Sequence, residues 1–138
     1  KFQVVSEAYC NSEDNSVLGI GHKQTTYFTG FSAVDVLMGI FEIAFQSTSL
    51  AGLLQKKGMS IPLKIKSPEI YDLQFEQVFA VPEIISANVG RDDLPLVADV
   101  MVYNEKQKCI MRIKGLEMSV IRHHHILPFE FIKKSVRN

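Results

Sequence analysis

The run from Ser32 to Leu54 most constrains what this chain can become: it holds no proline, is apolar nearly all round, and gives way after Gly58 to segments that alternate with a period of two. It reads as one long helix. Ser32 is placed to cap it, and Asp35 falls in the first turn, where the backbone dipole favours a carboxylate. Lys56 and Lys57 fall in the expected last turn, and Gly58 stands where a left-handed residue ends such helices. About 25 residues of helix would be roughly 37 Å long, unless Gly52 shortens it.

The flanking segments read as strands. Phe2 to Cys10 and Ser16 to Thr29 are expected to form a hairpin around the turn formers Asn11 to Asn15, with Gly19 and Gly21 as points of bulging or close approach. Beyond the helix, Ile61, Leu63 and Ile65 alternate with Pro62, Lys64 and Lys66, and Leu73 and Phe75 alternate with Gln74 and Glu76. Val97 to Tyr103 is a further strand. In the last long strand Met111 and Ile113 are out of phase with Leu116, Met118 and Val120, so a bulge at Gly115 is needed to bring all five to one face. Gly90–Arg91–Asp92–Asp93 and Asn104–Glu105–Lys106–Gln107 are expected hairpin turns.

A single buried helix has too little surface to cover a flat sheet of six strands, so the sheet has to curl around it. The expected fold is therefore α+β, the hot-dog arrangement of a hairpin, a long central helix and a strand meander wrapped about it. All 138 residues fit one domain, and at this length roughly 68% of the unfolded surface can be buried.

Composition removes several functions. Fifteen Lys and Arg balance 15 Asp and Glu, so nothing draws the chain to phosphates and nucleic acid is not an expected partner. Cys10 and Cys109 lie 99 positions apart with no third cysteine, which fits neither a disulfide framework nor a zinc ribbon and is ordinary for a reducing compartment; the expected location is the cytoplasm. Ala33 to Phe45, the most apolar stretch, has 13 residues and carries Asp35 and Glu42, short of the roughly 20 apolar residues of a membrane span. The start, Lys1–Phe2–Gln3–Val4–Val5, has no signal-peptide core and no Met, so the chain is expected to be part of a longer protein. In a strand at most His123 and His125 of the His123–His124–His125 run converge, with no nearby ligand to complete a metal site, and no metal or cofactor is expected.

The ionisable residues of the helix are sparse and purely acidic. At 100° per residue Asp35, Glu42 and Ser49 follow one another in steps of about 20°, with Gln46 about 40° and Gly39 about 60° from Glu42. This stripe is either the solvated edge of the helix or a site. As a site, a carboxylate flanked by Ile40, Phe41, Ile43 and Phe45 would be partly desolvated and suited to general acid or base work, while Gln46 offers both a donor and an acceptor.

Phe41–Glu42–Ile43–Ala44–Phe45–Gln46, followed fifteen positions after Gln46 by Ile61–Pro62–Leu63–Lys64–Ile65, resembles the acidic helix of hot-dog thioester dehydratases and of the dehydratase domains of polyketide synthases. Asp99 to Glu105 with Ile113 to Met118 is similar to the closing hairpin of those domains, and the resemblance covers Ser32 to Ile121. It implies an enzyme of fatty acid or polyketide metabolism, a 3-hydroxyacyl-thioester dehydratase in which Glu42 protonates the departing β-hydroxyl and Gln46 steadies it. The substrate would be a thioester of acyl carrier protein or coenzyme A, bound beside Gln46, Asp35, Gly39 and Phe28, its carbonyl met by a backbone N–H near Ala33 to Asp35. In the stand-alone dehydratases a histidine base lies fourteen residues before the acid; Phe28 stands at that position here. His22, six residues upstream, is one replacement; a base from a second hot-dog domain is another, and the chain resembles the half that supplies the acid. A carboxylate acting alone on water, as in hot-dog thioesterases, and an acyl-binding domain without turnover are the remaining alternatives. Pairing is expected in any case, as a homodimer or with a second hot-dog domain, because the curled sheet leaves an edge open.

Overall fold

A computed structural model of the chain describes residues 5, 7–23, 32–55, 58–91 and 93–120. They form six strands and one helix: β1 (Glu7–Cys10), β2 (Val17–His22), α1 (Ala33–Leu54), β3 (Ser60–Ile70), β4 (Gln77–Ser86), β5 (Leu96–Asn104) and β6 (Cys109–Val120). All strand pairs are antiparallel, in the order β1-β2-β4-β5-β6-β3. This is the hot-dog fold, one long helix held by a curled sheet.

The helix obeys its start signal. Ser32 Oγ accepts from the Asp35 N–H while the Asp35 carboxylate accepts from the Ser32 N–H, a reciprocal capping box. The helix runs 22 residues to Leu54. Gly52 does not shorten it; a Cβ there would lie 2.7 Å from Leu96 Cδ1, so this glycine lets β5 pack close to the helix. The helix's C-cap is Gln55 and its last turn holds no basic residue, so Gly58, at φ +109°, stands beyond the helix rather than capping it as expected. Lys56 and Lys57 lie outside the described residues. By length and composition α1 is apolar enough to cross a bilayer, which the 13-residue stretch alone did not indicate. Here Ile40, Ile43 and Ala44 are fully buried against strand residues such as Val78, Val100 and Ile113.

The helix packs chiefly against β2 and β4. Gly19 and Gly21 provide the close approach: a Cβ on Gly19 would collide with Ser47 Oγ, and one on Gly21 with Ile43 Cδ1. β2 pairs with β4 only from Gly19–Ala80 to His22–Gln77. Pro82, with no N–H to offer, lies two positions beyond Ala80 on β4. There the sheet parts, leaving a cavity of about 510 Å³ lined by Ser16, Ala51, Gln55, Pro82 and Ile84 among others.

Three further expectations need correction. β3 is not the first strand of a meander; it crosses to the far edge, where it pairs with β6 alone. Its alternation does not report burial: Ile61 and Leu63 are 53% and 62% exposed, because Ile61 stands opposite Ser119, out of phase with the buried Leu116 and Met118, and the register slips between Pro62 and Lys64. Leu73 to Glu76 is not a strand. Phe75 is buried, but the Gln74 N–H goes to the Asp72 carboxylate and the Glu76 and Gln77 N–H groups go to that of Glu105, so side chains replace the expected ladder. The first hairpin is described as Glu7–Cys10 and Val17–His22, the outer parts of the expected arms falling outside the described residues.

The bulge stands where the phase change required it. Ala98 pairs with Leu116 and Val100 with Ile113, so Lys114 and Gly115 together face Asp99. Gly115 has φ +69° and its N–H donates to Asp99 Oδ1 at 3.0 Å. Met111, Ile113, Leu116 and Met118 are all fully buried, and Val120 is half-buried.

Candidate functional site

The acidic stripe does not run along a solvated edge. It descends into the molecule as it moves down the helix. Asp35 is exposed and engaged in the capping box. Glu42 is half-buried two turns on, and Ser49, 9% exposed, accepts from the Ser60 N–H and donates to the Ser60 carbonyl at 3.3 and 3.0 Å, fastening the helix to the start of β3. Gly39 is buried within α1.

Glu42 is the ionisable group that this descent perturbs. Burial pushes its carboxyl above the usual 4.5, and a side-chain hydrogen bond from Gln46, one turn on, pulls partly the other way. Gln46 is itself held: its Oε1 accepts from the main-chain N–H of Val5 at 3.2 Å, across 41 positions of sequence. Because an N–H can only donate, that bond assigns the oxygen to Val5 and turns the amide NH₂ toward Glu42. Beside Glu42 the helix presents Val34 (67% exposed), Met38 (49% exposed) and the stacked rings of Phe41 and Phe45, centroids 5.9 Å apart, at the spacing of one face. A carboxyl kept toward its protonated form, oriented by an amide and flanked by partly exposed apolar side chains, is equipped to deliver or accept one proton at an apolar ligand.

The structure does not bring His22 to this group. Gly19 and Gly21 face the helix, so the alternation of β2 sends His22 to the other side of the sheet, where its Nδ1 lies 3.2 Å from Gln77 Nε2. Phe28 and His123 to His125 lie outside the described residues. The Asp35 N–H, one of the expected donors to a substrate carbonyl, is engaged by Ser32 Oγ. Val5 is the member of the arrangement that sequence reading missed. Its contribution is a backbone N–H, which any residue but proline would carry, so no side-chain pattern marks it.

No protein-family model and no curated protein matches the sequence. Solved structures do match in shape. The dehydratase domain of RzxB from Pseudomonas fluorescens is 11% identical over 77% of this chain and 38% of its own, with a TM-score of 0.59. The dehydratase domain from the CurF module of curacin polyketide synthase is 16% identical over 87% of this chain and 40% of its own, TM-score 0.58. A thioesterase family protein from Silicibacter pomeroyi is 13% identical over 78% of this chain and 79% of its own, TM-score 0.53. These similarities establish the hot-dog fold, which the thioesterase family protein shares with the dehydratase domains. The chain spans about two fifths of the length of the two dehydratase domains.

Proposed function

We propose that this chain is an acyl-thioester enzyme of fatty acid or polyketide metabolism, acting as a 3-hydroxyacyl-thioester dehydratase. The observation that carries the reading is Glu42: a half-buried carboxyl, raised by burial and oriented by Gln46. Glu42 gives its proton to the β-hydroxyl as a base removes a proton from the α-carbon; the C–O bond breaks, water leaves and the enoyl thioester remains. Near neutrality a carboxyl must be raised to hold that proton, and burial acts in the required direction. The base belongs to a second hot-dog unit, a copy of this chain or another domain, seated on the uncovered face of Val34 and Met38. The length of the matched dehydratase domains, more than twice the matched span, supports such a pairing. The whole 138 residues act as one domain of that pair, in the cytoplasm, on a thioester of carrier protein or coenzyme A, with Gln46, Asp35, Gly39 and Phe28 along the substrate.

Hydrolysis is the second reading. It is favoured by the match to the thioesterase family protein over 79% of that protein's length and by the placement of His22 on the other side of the sheet from Glu42. Glu42 would then activate water against the thioester carbonyl. One assay separates the two, with 3-hydroxyacyl and acyl thioesters supplied together and enoyl formation and free thiol followed independently. Glu42→Gln keeps the shape and should lower the product that forms by about 10²- to 10⁴-fold with the fold intact. Neither product from the wild-type chain, with a second hot-dog domain present, would overturn both readings and leave an acyl-binding domain.

A further inference from the structure

The Gln46 amide has two ways to face Glu42, and they favour opposite protonation states. With its NH₂ toward the carboxyl it stabilises the ionised form; with its oxygen there, two acceptors meet unless Glu42 is protonated. Whatever selects between them therefore governs the proton at Glu42. Gln46 Oε1 lies 3.2 Å from the Val5 N–H, a group with no acceptor capacity, and Val5 is anchored with its side chain 1% exposed in the main core cluster. The selecting group is thus built into the core and comes from the segment ahead of β1, far from the helix in sequence.

We propose that the main-chain N–H of Val5 is a positioning group for Glu42, acting through the Gln46 amide. This rests on the reading of Glu42 as the proton-transferring carboxyl. It adds that Val5, ahead of β1, belongs to the site: through its N–H the main chain there sets how readily Glu42 releases its proton. Among the described residues no charged side chain contributes to the Glu42 shift, so the amide is the principal lever beyond burial itself.

The test removes one hydrogen atom's worth of chemistry. Val5→Pro eliminates the N–H, and a backbone ester at Val5, made by joining residues 1–9 to a chain beginning at Cys10, eliminates it while keeping the valine side chain in the core. The readout is the titration midpoint of the Glu42 carboxyl by carbon NMR on the full chain, with the pH profile of kcat alongside. Either change should raise the midpoint by about half a unit or more, and should have no effect when Gln46→Ala is already present, since a group that acts through Gln46 has nothing to act through without it. An unmoved midpoint in the folded ester variant, or an equal movement in the Gln46→Ala background, would overturn the proposal. A midpoint that moves in a protein without turnover keeps the relay and overturns the catalytic reading of Glu42. Intact turnover with an unmoved midpoint overturns the relay alone.

Discussion

Glu42 is held against its own preference. Its folded carboxyl titrates above the ordinary 4.5, so between that value and the raised one the folded state holds more protons than the unfolded chain, and stability falls as the pH rises through this window. Glu42→Gln removes the charge and should raise the melting temperature at neutral pH, with the advantage shrinking as the pH drops below the ordinary carboxyl range and both states become protonated. Calorimetry across that range checks the sign; a variant less stable than wild type at neutral pH would contradict it. At Gly19 the constraint is steric. Gly19→Ala drives a methyl into Ser47 and should cost about 1–3 kcal/mol. Ser47→Ala in the same chain should return part of the loss, because removing the hydroxyl relieves the nearest clash, and a double-mutant cycle in denaturant measures how much.

At the scale of the element, the bulge in β6 decides whether the closing strand presents one apolar face or two half-faces. Gly115 holds φ +69°, and a Cβ there would sit 2.9 Å from Lys66 Cβ on β3, so conformation and space both exclude a side chain. Gly115→Ala should cost about 1–2 kcal/mol for the left-handed backbone alone. Gly115→Val should cost more, since a β-branched residue tolerates that region worst. Ser119→Val, on the same strand and half-buried, is the comparison and should stay within about 0.5 kcal/mol of wild type. Equal melting temperatures for Gly115→Val and Ser119→Val would contradict the bulge as a point of constraint.

Among the described residues, the apolar side chains left exposed include those on one face of the first half of α1, Val34 and Met38, and Ile61 and Leu63 on the β3 edge. An open strand edge with apolar side chains invites pairing, and Pro62 and Pro68 remove two donors from it, as edge strands that must avoid random addition do. A defined partner is therefore expected on the helix face. Light scattering at micromolar concentration should show a two-fold dimer, or a pair when a second hot-dog domain is supplied, and Met38→Glu should weaken it by placing a charge in the contact. A monomer that stays monomeric with the second domain present would remove this assembly.

The chain by itself determined what local rules can state. Ser32 and Asp35 declare the start of the helix through their own reciprocal bonds, whereas its end, capped at Gln55, came three positions before the glycine expected to mark it. The phase change between Ile113 and Leu116 demands a bulge, because burial of one face admits no other register. The Glu42–Gln46 pair was visible for the same reason: four residues on a helix make neighbours. Tertiary structure alone decided what depends on distant segments. Alternation in β3 could not reveal that Ile61 pairs with Ser119 on the outer face and that the register slips at Leu63, so both side chains face solvent. Leu73 to Glu76 lost their ladder to the carboxylates of Asp72 and Glu105. His22 is near the helix in sequence and on the wrong side of the sheet in space. Ser49, on the acidic stripe, became a fastening to Ser60, and Val5 entered the site through a backbone N–H, a group common to nearly every residue and made specific only by where the fold brings it.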